Sequence, residues 1–404
     1  MLKIPKNIIR RESYLERIRP FVNRNIIKVL TGQRRVGKSY LLYNVMEEIL
    51  RENSDANIIF INFEDFGYRS LTDPERLYEY LDEKVDEGRT NYIFIDEIQE
   101  VRDFESVIAS FFIRDNCDIY ITGSNSHMLS GELATKLTGR YIEIKVYSLS
   151  YREFLQFQNL DDDDASLDKY ARYGGLPYLR NLELTDTIAG EYLKSVYSTI
   201  VYRDVVARYQ IRNTSTLERL AQFIAENIGN IFSAKKISDY LKSQRIAISV
   251  SQLQAYTSYL ASSFLIHVAR RYDLVGKKIF EIGEKYYFEN LGLRNVLAGY
   301  READRGKIME NLVYNHLLFL GYEVRIGSLD KQEIDFVAMR NNEYLYVQVA
   351  LRIDTEETAL REYGNLLAIG NNYPKFVVTA QGTEGNTYEG IRTLSIREFL
   401  LSDL

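Results

Sequence analysis

Short apolar runs alternate with a helix-like pattern in the first part of the chain. The apolar positions of residues 39–50 recur with helical spacing, whereas four other runs are short and nearly continuous, which is typical of buried strands. These runs lie at residues 26–30, 92–95, 118–122 and 141–144. Strands that alternate with helices predict an α/β fold with a parallel sheet.

Three helical patterns are followed by two strand patterns in the middle of the chain. The predicted elements are helices at residues 217–230, 233–242 and 250–263 and strands at 265–271 and 278–282. Ser233 suits a helix cap, and Ser249 and Gln252 have the spacing of a capping box. Three helices and a two-stranded wing predict a winged helix-turn-helix.

The last part of the chain has the pattern of a small α/β module. Its predicted elements are a helix at 307–320, three short strands, a helix at 356–369 and a strand at 375–379. Two of the short strands carry polar residues, Glu333 and Asp335 in one and Gln348 in the next.

Composition is that of an ordinary globular protein. A chain of 404 residues, 46% hydrophobic and 27% charged, is expected to form two to four domains. It has no run of 18 apolar residues and no signal-peptide pattern near its start, so we expect no membrane span and a cytoplasmic location. The single cysteine, Cys117, excludes a disulfide framework and is expected to be buried. Three scattered histidines argue against a structural zinc site.

Charge argues against a protein that coats nucleic acid. The net charge is −6, and residues 306–404 hold 9 Lys and Arg against 14 Asp and Glu. The third predicted helix of the winged helix, 250–263, has no Lys or Arg, which weakens a DNA interface. Only the predicted wing is basic, with Arg270, Arg271, Lys277 and Lys278. Packing between domains or subunits explains a winged helix equally well.

Residues 32–39 carry the most specific motif. They read Gly-Gln-Arg-Arg-Val-Gly-Lys-Ser and fit G-x-x-x-x-G-K-[ST], the phosphate loop of nucleoside triphosphatases. Gly32 and Gly37 let backbone N–H groups surround the phosphates, Lys38 adds a positive charge, and Ser39 is a Mg²⁺ ligand. ATP and Mg²⁺ are therefore the expected cofactors. The other residues expected at the nucleotide are Gln33, Arg34, Arg35, Val36 and Tyr40, with both arginine side chains exposed to solvent.

Polar residues follow two of the predicted strands. Asp96 is placed to hold Mg²⁺ and its waters, and Glu97 is placed to act as the general base on the attacking water. Asn125 comes after the next strand and is predicted to hydrogen-bond that water or the γ-phosphate. A turn-forming Ser-Asn pair is the alternative explanation of Asn125.

Arg140 stands directly before the strand pattern at 141–144. An arginine at this edge of the domain could reach the γ-phosphate bound by a neighbouring copy, which would require a homo-oligomer. An arginine in a solvated loop is the alternative.

The order of phosphate loop, Asp-Glu strand, polar strand end and edge arginine resembles that of AAA+ ATPases. Asp-Glu-Ile-Gln at 96–99 and Leu-Ser-Tyr-Arg-Glu-Phe-Leu at 149–155 are similar to the prokaryotic group related to archaeal and STAND ATPases. The resemblance implies a P-loop AAA+ domain at 1–155, a helical lid at 156–215, the winged helix at 216–290 and the last module at 291–404. Gly-Leu-Pro at 175–177 resembles the G-x-P element in which Pro177 would pack on adenine; a glycine–proline turn is the alternative.

The last module resembles the PD-(D/E)XK nuclease fold. The resemblance implies a Mg²⁺ site formed by Glu310, Asp335 and Gln348. The expected lysine is replaced by Ala350, which cannot activate water, and Lys331 is an unproven substitute. We therefore expect a degenerate nuclease fold that serves as a binding or assembly surface.

Together these features predict a Mg²⁺-dependent AAA+ ATPase that acts as a nucleotide-driven switch or assembly engine. One alternative is an ATP-dependent DNA-processing protein with an active nuclease domain. Another is an ATP-binding regulator with slow turnover.

Overall fold

The structure is a computed structural model that describes residues 4–126, 137, 139–246, 248–274, 276, 283–329, 332–381 and 387–404. The chain divides into two compact units. One comprises Met1–Tyr147 with Ser262–Phe264, and the other comprises Ser148–Ala261 with Leu265–Leu404. No helix within the described ranges is both long and apolar enough to cross a membrane.

The first unit is built around a parallel sheet. Its strands are β1 (Ile27–Thr31), β2 (Asn57–Asn62), β3 (Asn91–Asp96), β4 (Cys117–Gly123) and β5 (Tyr141–Lys145), in the order β2-β3-β4-β1-β5. Its described helices are α1 (Glu12–Ile18), α2 (Lys38–Glu52), α3 (Pro74–Lys84) and α4 (Phe104–Phe112). All four strand pairings are parallel, which confirms the predicted α/β class with a parallel sheet.

The central strands of this sheet are fully buried, as their continuous apolar runs predict. Cys117 is buried at the start of β4, also as expected. Strand β2 was not predicted, although residues 58–61 form a short apolar run; it lies at the edge of the sheet, and only two of its six residues are buried. Lys28 lies inside β1 and is fully buried, where its ammonium pairs with Asp118 of β4.

The second unit combines helices with a mixed sheet. Its helices include α5 (Tyr151–Gln158), α6 (Asp164–Tyr173), α7 (Ile188–Thr199), α8 (Thr214–Glu226), α9 (Ala234–Ser243), α10 (Val250–Ser262), α11 (Leu291–Ala298), α12 (Arg305–Phe319), α13 (Glu356–Leu367) and α14 (Ile396–Leu401). Its strands are β6 (Ile266–Asp273), β7 (Glu284–Phe288), β8 (Glu323–Leu329), β9 (Gln332–Arg340), β10 (Glu343–Ala350), β11 (Lys375–Thr379), β12 (Thr387–Tyr388) and β13 (Ile391–Ser395). Their order in the described part is β12-β13-β11-β10-β9-β8-β6-β7.

The sheet changes how the predicted wing is understood. Helices α8, α9 and α10 follow the three predicted helices closely, and β6 pairs antiparallel with β7. However, β6 also pairs in parallel with β8. Strands β6 and β7 therefore belong to the same sheet as the strands of the C-terminal module and do not form a separate wing. The predicted strand at 278–282, with Lys277 and Lys278, lies outside the described residues.

Candidate functional site

The phosphate loop joins the end of β1 to the start of α2. Because all strands of this sheet are parallel, β1, β3 and β4 end at the same edge. This edge therefore receives the loop together with Asp96, Glu97 and Asn125. Ligands of open α/β sheets bind at such carboxyl edges.

Both glycines of the loop are required by its backbone. Gly32 has φ 152°, and a Cβ there would lie 2.0 Å from the carbonyl oxygen of Val146. Gly37 precedes α2 in the left-handed region, with φ 96°. The loop can therefore turn tightly and expose its N–H groups at the start of a helix, where an anion is favoured.

The ammonium of Lys38 is buried inside the loop. Its Nζ donates hydrogen bonds to the carbonyl oxygens of Gly32 at 3.0 Å and Gln33 at 3.1 Å. It also lies 3.7 Å from Glu97 Oε1. The loop thus holds one positive charge at the place predicted for the phosphates.

Asp96 has the surroundings of a cation ligand. Burial and the neighbouring Glu97 raise the pKa of Asp96 to about 6, although hydrogen bonds from Ser39 and Thr122 lower it. Thr122 Oγ1 donates to Oδ1 at 2.6 Å, whereas Oδ2 is buried with no well-formed hydrogen bond from the described residues. A buried carboxylate beside a serine hydroxyl offers the oxygen ligands that Mg²⁺ prefers.

Glu97 is held in a fixed, ionised form. Its φ of 58° is in the left-handed region, and Oε2 accepts hydrogen bonds from Gln99 Nε2 and from Ser124 Oγ, the latter at 2.9 Å. Burial alone would raise the pKa of Glu97, but the charges of Lys38 and Arg34 and these two hydrogen bonds lower it. Glu97 is therefore a carboxylate at neutral pH, as a general base must be.

Sequence reasoning gave no role to Gln99 or Ser124. The only sequence signal for a role was proximity to predicted site residues: Gln99 is two residues after Glu97, and Ser124 directly precedes Asn125. Asn125 itself is fully buried just after β4. Its contact with water or phosphate stays a prediction.

The remaining loop residues differ in exposure. The prediction that Arg34 is exposed is wrong: only 4% of its side chain is accessible, because its Nη1 donates to Glu64 Oε1 at 2.9 Å. Arg35 is exposed as predicted, with φ 71°. Val36 and Gln33 are buried, whereas Tyr40 is 55% exposed.

Arg140 lies away from this edge, whereas Pro177 belongs to the second unit. The carbonyl oxygen of Arg140 accepts a hydrogen bond from the N–H of Ile27, so Arg140 stands at the amino end of β1, opposite the loop. Its exposed side chain lies over the ring of Phe112, 5.6 Å from the ring centre. Within the second unit, Pro177 begins a short 3-10 helix, Pro177–Asn181. This start of a helix is compatible with the alternative explanation, a glycine–proline turn. The contact of Pro177 with adenine stays a prediction.

The predicted vestigial site of the C-terminal module contains a lysine that sequence reasoning missed. Nζ of Lys285, on β7, lies 2.9 Å from Glu310 Oε1, 2.7 Å from Glu333 Oε1 and 3.5 Å from Asp335 Oδ1. Tyr287 also donates to Glu310 Oε1, at 2.6 Å. No local signal marked Lys285, because it is far from these acids along the chain.

Gln348 belongs to the same cluster. Its Oε1 accepts the N–H of Asp335 at 3.2 Å, and Asp335 Oδ2 accepts the N–H of Val349 at 2.9 Å. Glu310, Asp335 and Gln348 therefore lie in one cluster, and their role as a Mg²⁺ site stays a prediction. Ala350 is buried at the end of β10. Lys331 lies outside the described residues.

Burial and charge oppose each other in this cluster. Burial alone would lower the pKa of Lys285, but Glu310, Asp335 and Glu333 outweigh it and raise that pKa. Burial, with the charge of Glu310, raises the pKa of Asp335 to about 7 despite the nearby ammonium. Lys285 is therefore a permanently charged counter-ion and cannot accept a proton at neutral pH.

Two relatives match this chain over most of its length. A Haemophilus influenzae protein, described as uncharacterized, is 37% identical over 98% of this chain and 99% of its own length. A Methanocaldococcus jannaschii protein, also described as uncharacterized, is 30% identical over 84% of this chain and 78% of its own length. Residues 24–155 match a family described as an AAA domain, and residues 164–304 match a domain of unknown function, DUF8612.

Solved structures with a similar course of the chain include two archaeal proteins. The Walker-type ATPase of Pyrococcus abyssi is 17% identical, covers 74% of this chain and 98% of its own, and has a TM-score of 0.49. The ORC1 protein of Aeropyrum pernix in complex with DNA is 14% identical, covers 73% of this chain and 93% of its own, and has a TM-score of 0.34.

Proposed function

We propose that this chain, which belongs to the family of the Haemophilus influenzae and Methanocaldococcus jannaschii relatives, is a Mg²⁺-dependent ATPase. The match of residues 24–155 to an AAA domain supports the general class of this proposal. The observation that carries it is the meeting of Lys38, Asp96 and Glu97 at one sheet edge. A lysine for the phosphates, a carboxylate for Mg²⁺ and a group that activates water are recurring parts of sites that hydrolyse triphosphates.

Each of these residues has a distinct task in the proposed reaction. Lys38 would turn from the loop carbonyls to the β- and γ-phosphates, and Ser39 and Asp96 would hold Mg²⁺. The bound ion would neutralise phosphate charge. Glu97 would take a proton from water as the water oxygen attacks the γ-phosphorus and the bond to the ADP oxygen breaks. The products are ADP and inorganic phosphate.

The direct test is phosphate release by the purified protein with ATP and Mg²⁺. We expect release that stops when Mg²⁺ is chelated, and Lys38→Ala should lose nucleotide binding because it removes the main cation of the loop. Lys84→Ala, at an exposed lysine in the same unit, is the matched control. Release by Lys38→Ala at the parent rate would attribute the activity to a contaminant.

We further propose that nucleotide state controls the second unit, so that the protein works as a switch or an assembly engine. The rival is a regulator that binds ATP and turns it over too slowly to be an enzyme. Measured turnover separates these two hypotheses. Proteins that copurify with the Glu97→Gln variant, which should retain ATP, would identify the partner.

Arg140 is proposed to act on a neighbouring copy. Its position at the sheet edge opposite the loop supports this proposal, because from there it cannot serve the pocket of its own chain. Arg140→Ala should then bind ATP normally and hydrolyse it slowly, and mixing with Lys38→Ala should restore part of the activity. If turnover per chain does not depend on protein concentration and mixing restores no activity, Arg140 is instead an arginine in a solvated loop without a role in hydrolysis.

The C-terminal module is proposed to be a binding or assembly surface rather than a nuclease. One observation favours the nuclease alternative. The ammonium of Lys285 lies 3.5 Å from Asp335, so a lysine is present among the acids although alanine occupies the expected lysine position, 350. That ammonium is already held by three carboxylates, and residues 306–404 have an excess of acids, which repels a polyanion. DNA cleavage by the parent protein that disappears in Asp335→Ala would favour the alternative.

A further inference from the structure

Arg34 is a second cation buried within the phosphate loop. It lies between Gly32 and Gly37, and only 4% of its side chain is accessible. Its Nη1 lies 2.9 Å from Oε1 of Glu64, whose side chain is 40% exposed, so a carboxylate in contact with solvent pairs with a buried guanidinium. Burial of a guanidinium costs desolvation free energy, which opposite charge and hydrogen bonds must offset.

The position of Glu64 shows which part of the sheet edge Arg34 covers. Glu64 follows β2, where its N–H donates to Asn62 Oδ1 at 2.8 Å, and Asn62 is level with Asp96 of β3. Strands β3 and β4 separate β2 from β1, a span of about 14 Å at the usual strand spacing. The Arg34–Glu64 pair therefore bridges the ends of the strands that carry Asp96 and Asn125.

The guanidinium of Arg34 lies at the same edge of the sheet as the base. Lys38, four residues after Arg34 in the same loop, is 3.7 Å from Glu97. Glu64, which pairs with Arg34, is two residues beyond Asn62, the residue of β2 that is level with Asp96. A fork of N–H donors at this place matches the oxygens of a terminal phosphate, which a guanidinium can bind through two hydrogen bonds.

We propose that Arg34 binds the γ-phosphate of ATP in its own chain, and that Glu64 holds the guanidinium when no γ-phosphate is present. The inference rests on the proposed ATPase function. A triphosphate carries several negative charges and displaces the Glu64 carboxylate, whereas ADP lacks the group that Arg34 would contact. Arg34 therefore makes the site distinguish ATP from ADP.

Calorimetric titration with the non-hydrolysable analogue AMPPNP and with ADP, both with Mg²⁺, tests this role. We expect Arg34→Gln to weaken AMPPNP binding by about tenfold or more, as for the loss of a hydrogen bond to a charged group. ADP affinity should change by less than about twofold, which also shows that the variant is folded. Arg34→Lys should be intermediate, because an ammonium keeps the charge and loses the fork.

Two further variants complete the test. Glu64→Gln removes the competing carboxylate, so AMPPNP should bind at least as tightly as to the parent. Arg51→Gln, at an exposed arginine of α2, should change neither affinity. If Arg34→Gln keeps the parent ratio of AMPPNP to ADP affinity, the ion pair is only structural and this inference is wrong. If the parent binds neither nucleotide, the proposed function fails with it.

Discussion

Replacement of Glu97 by Gln is expected to lower ATP turnover by about 10²- to 10⁴-fold while ATP remains bound. An amide has nearly the shape of the carboxylate and can still accept hydrogen bonds from Ser124 and Gln99, so the loop should keep its geometry. It cannot take the proton of the attacking water. Phosphate release and equilibrium binding of ATP, measured on the same preparation, separate these two effects.

Glu100→Gln provides the matched control, because Glu100 is an exposed carboxylate three residues further along the same segment. It should hydrolyse ATP at the parent rate. Hydrolysis at that rate by Glu97→Gln as well would show that another group accepts the proton. Loss of ATP binding in Glu97→Gln would show that the carboxylate supports the loop rather than the chemistry.

Replacement of Lys285 by Met is expected to destabilise the second unit by about 3–5 kcal/mol, the usual cost of breaking a buried ion pair from one side. Methionine fills a similar volume but leaves Glu310 and Asp335 without the ammonium that now contacts both. Chemical denaturation followed by circular dichroism measures the loss. Lys235→Met, at an exposed lysine of α9, is the control and should be nearly neutral.

The loss of stability in Lys285→Met should depend on pH. The pKa of folded Asp335, about 7, is above the ordinary value of about 3.9. The folded state therefore binds more protons than the unfolded state between these values, and this group reduces stability as pH rises through the interval. Removing the ammonium raises that pKa further, so the deficit of Lys285→Met should be greatest above about pH 7 and smaller near pH 5.

Replacing the acidic residues by their neutral amides tests whether the lost stability comes from unpaired charge. Combining Lys285→Met with Glu310→Gln and Asp335→Asn removes the two more deeply buried of the three charges that lose their partner and should recover part of the stability. A Lys285→Met protein as stable as the parent at every pH would mean that the cluster is hydrated and that the three short ion pairs contribute little.

The sequence alone determined the features that depend on neighbours along the chain. The spacing of Gly32, Gly37 and Lys38 specifies a loop between a strand and a helix, because glycine conformation and helix initiation are local properties. Continuous apolar runs likewise indicated the buried strands β1, β3 and β4. Asp96 and Glu97 could be placed at the same edge because parallel strands end together.

Tertiary structure decided the features that join distant parts of the chain. Arg34 is buried because Glu64, 30 residues away, follows the unpredicted edge strand β2. Lys285 lies among the acids because β7 brings it to Glu310 and Asp335, and β6 joins the C-terminal sheet through β8. Arg34 and Lys285 look like ordinary exposed cations in the sequence. Whether a charge can be buried depends on a counter-charge that only the folded chain brings within reach.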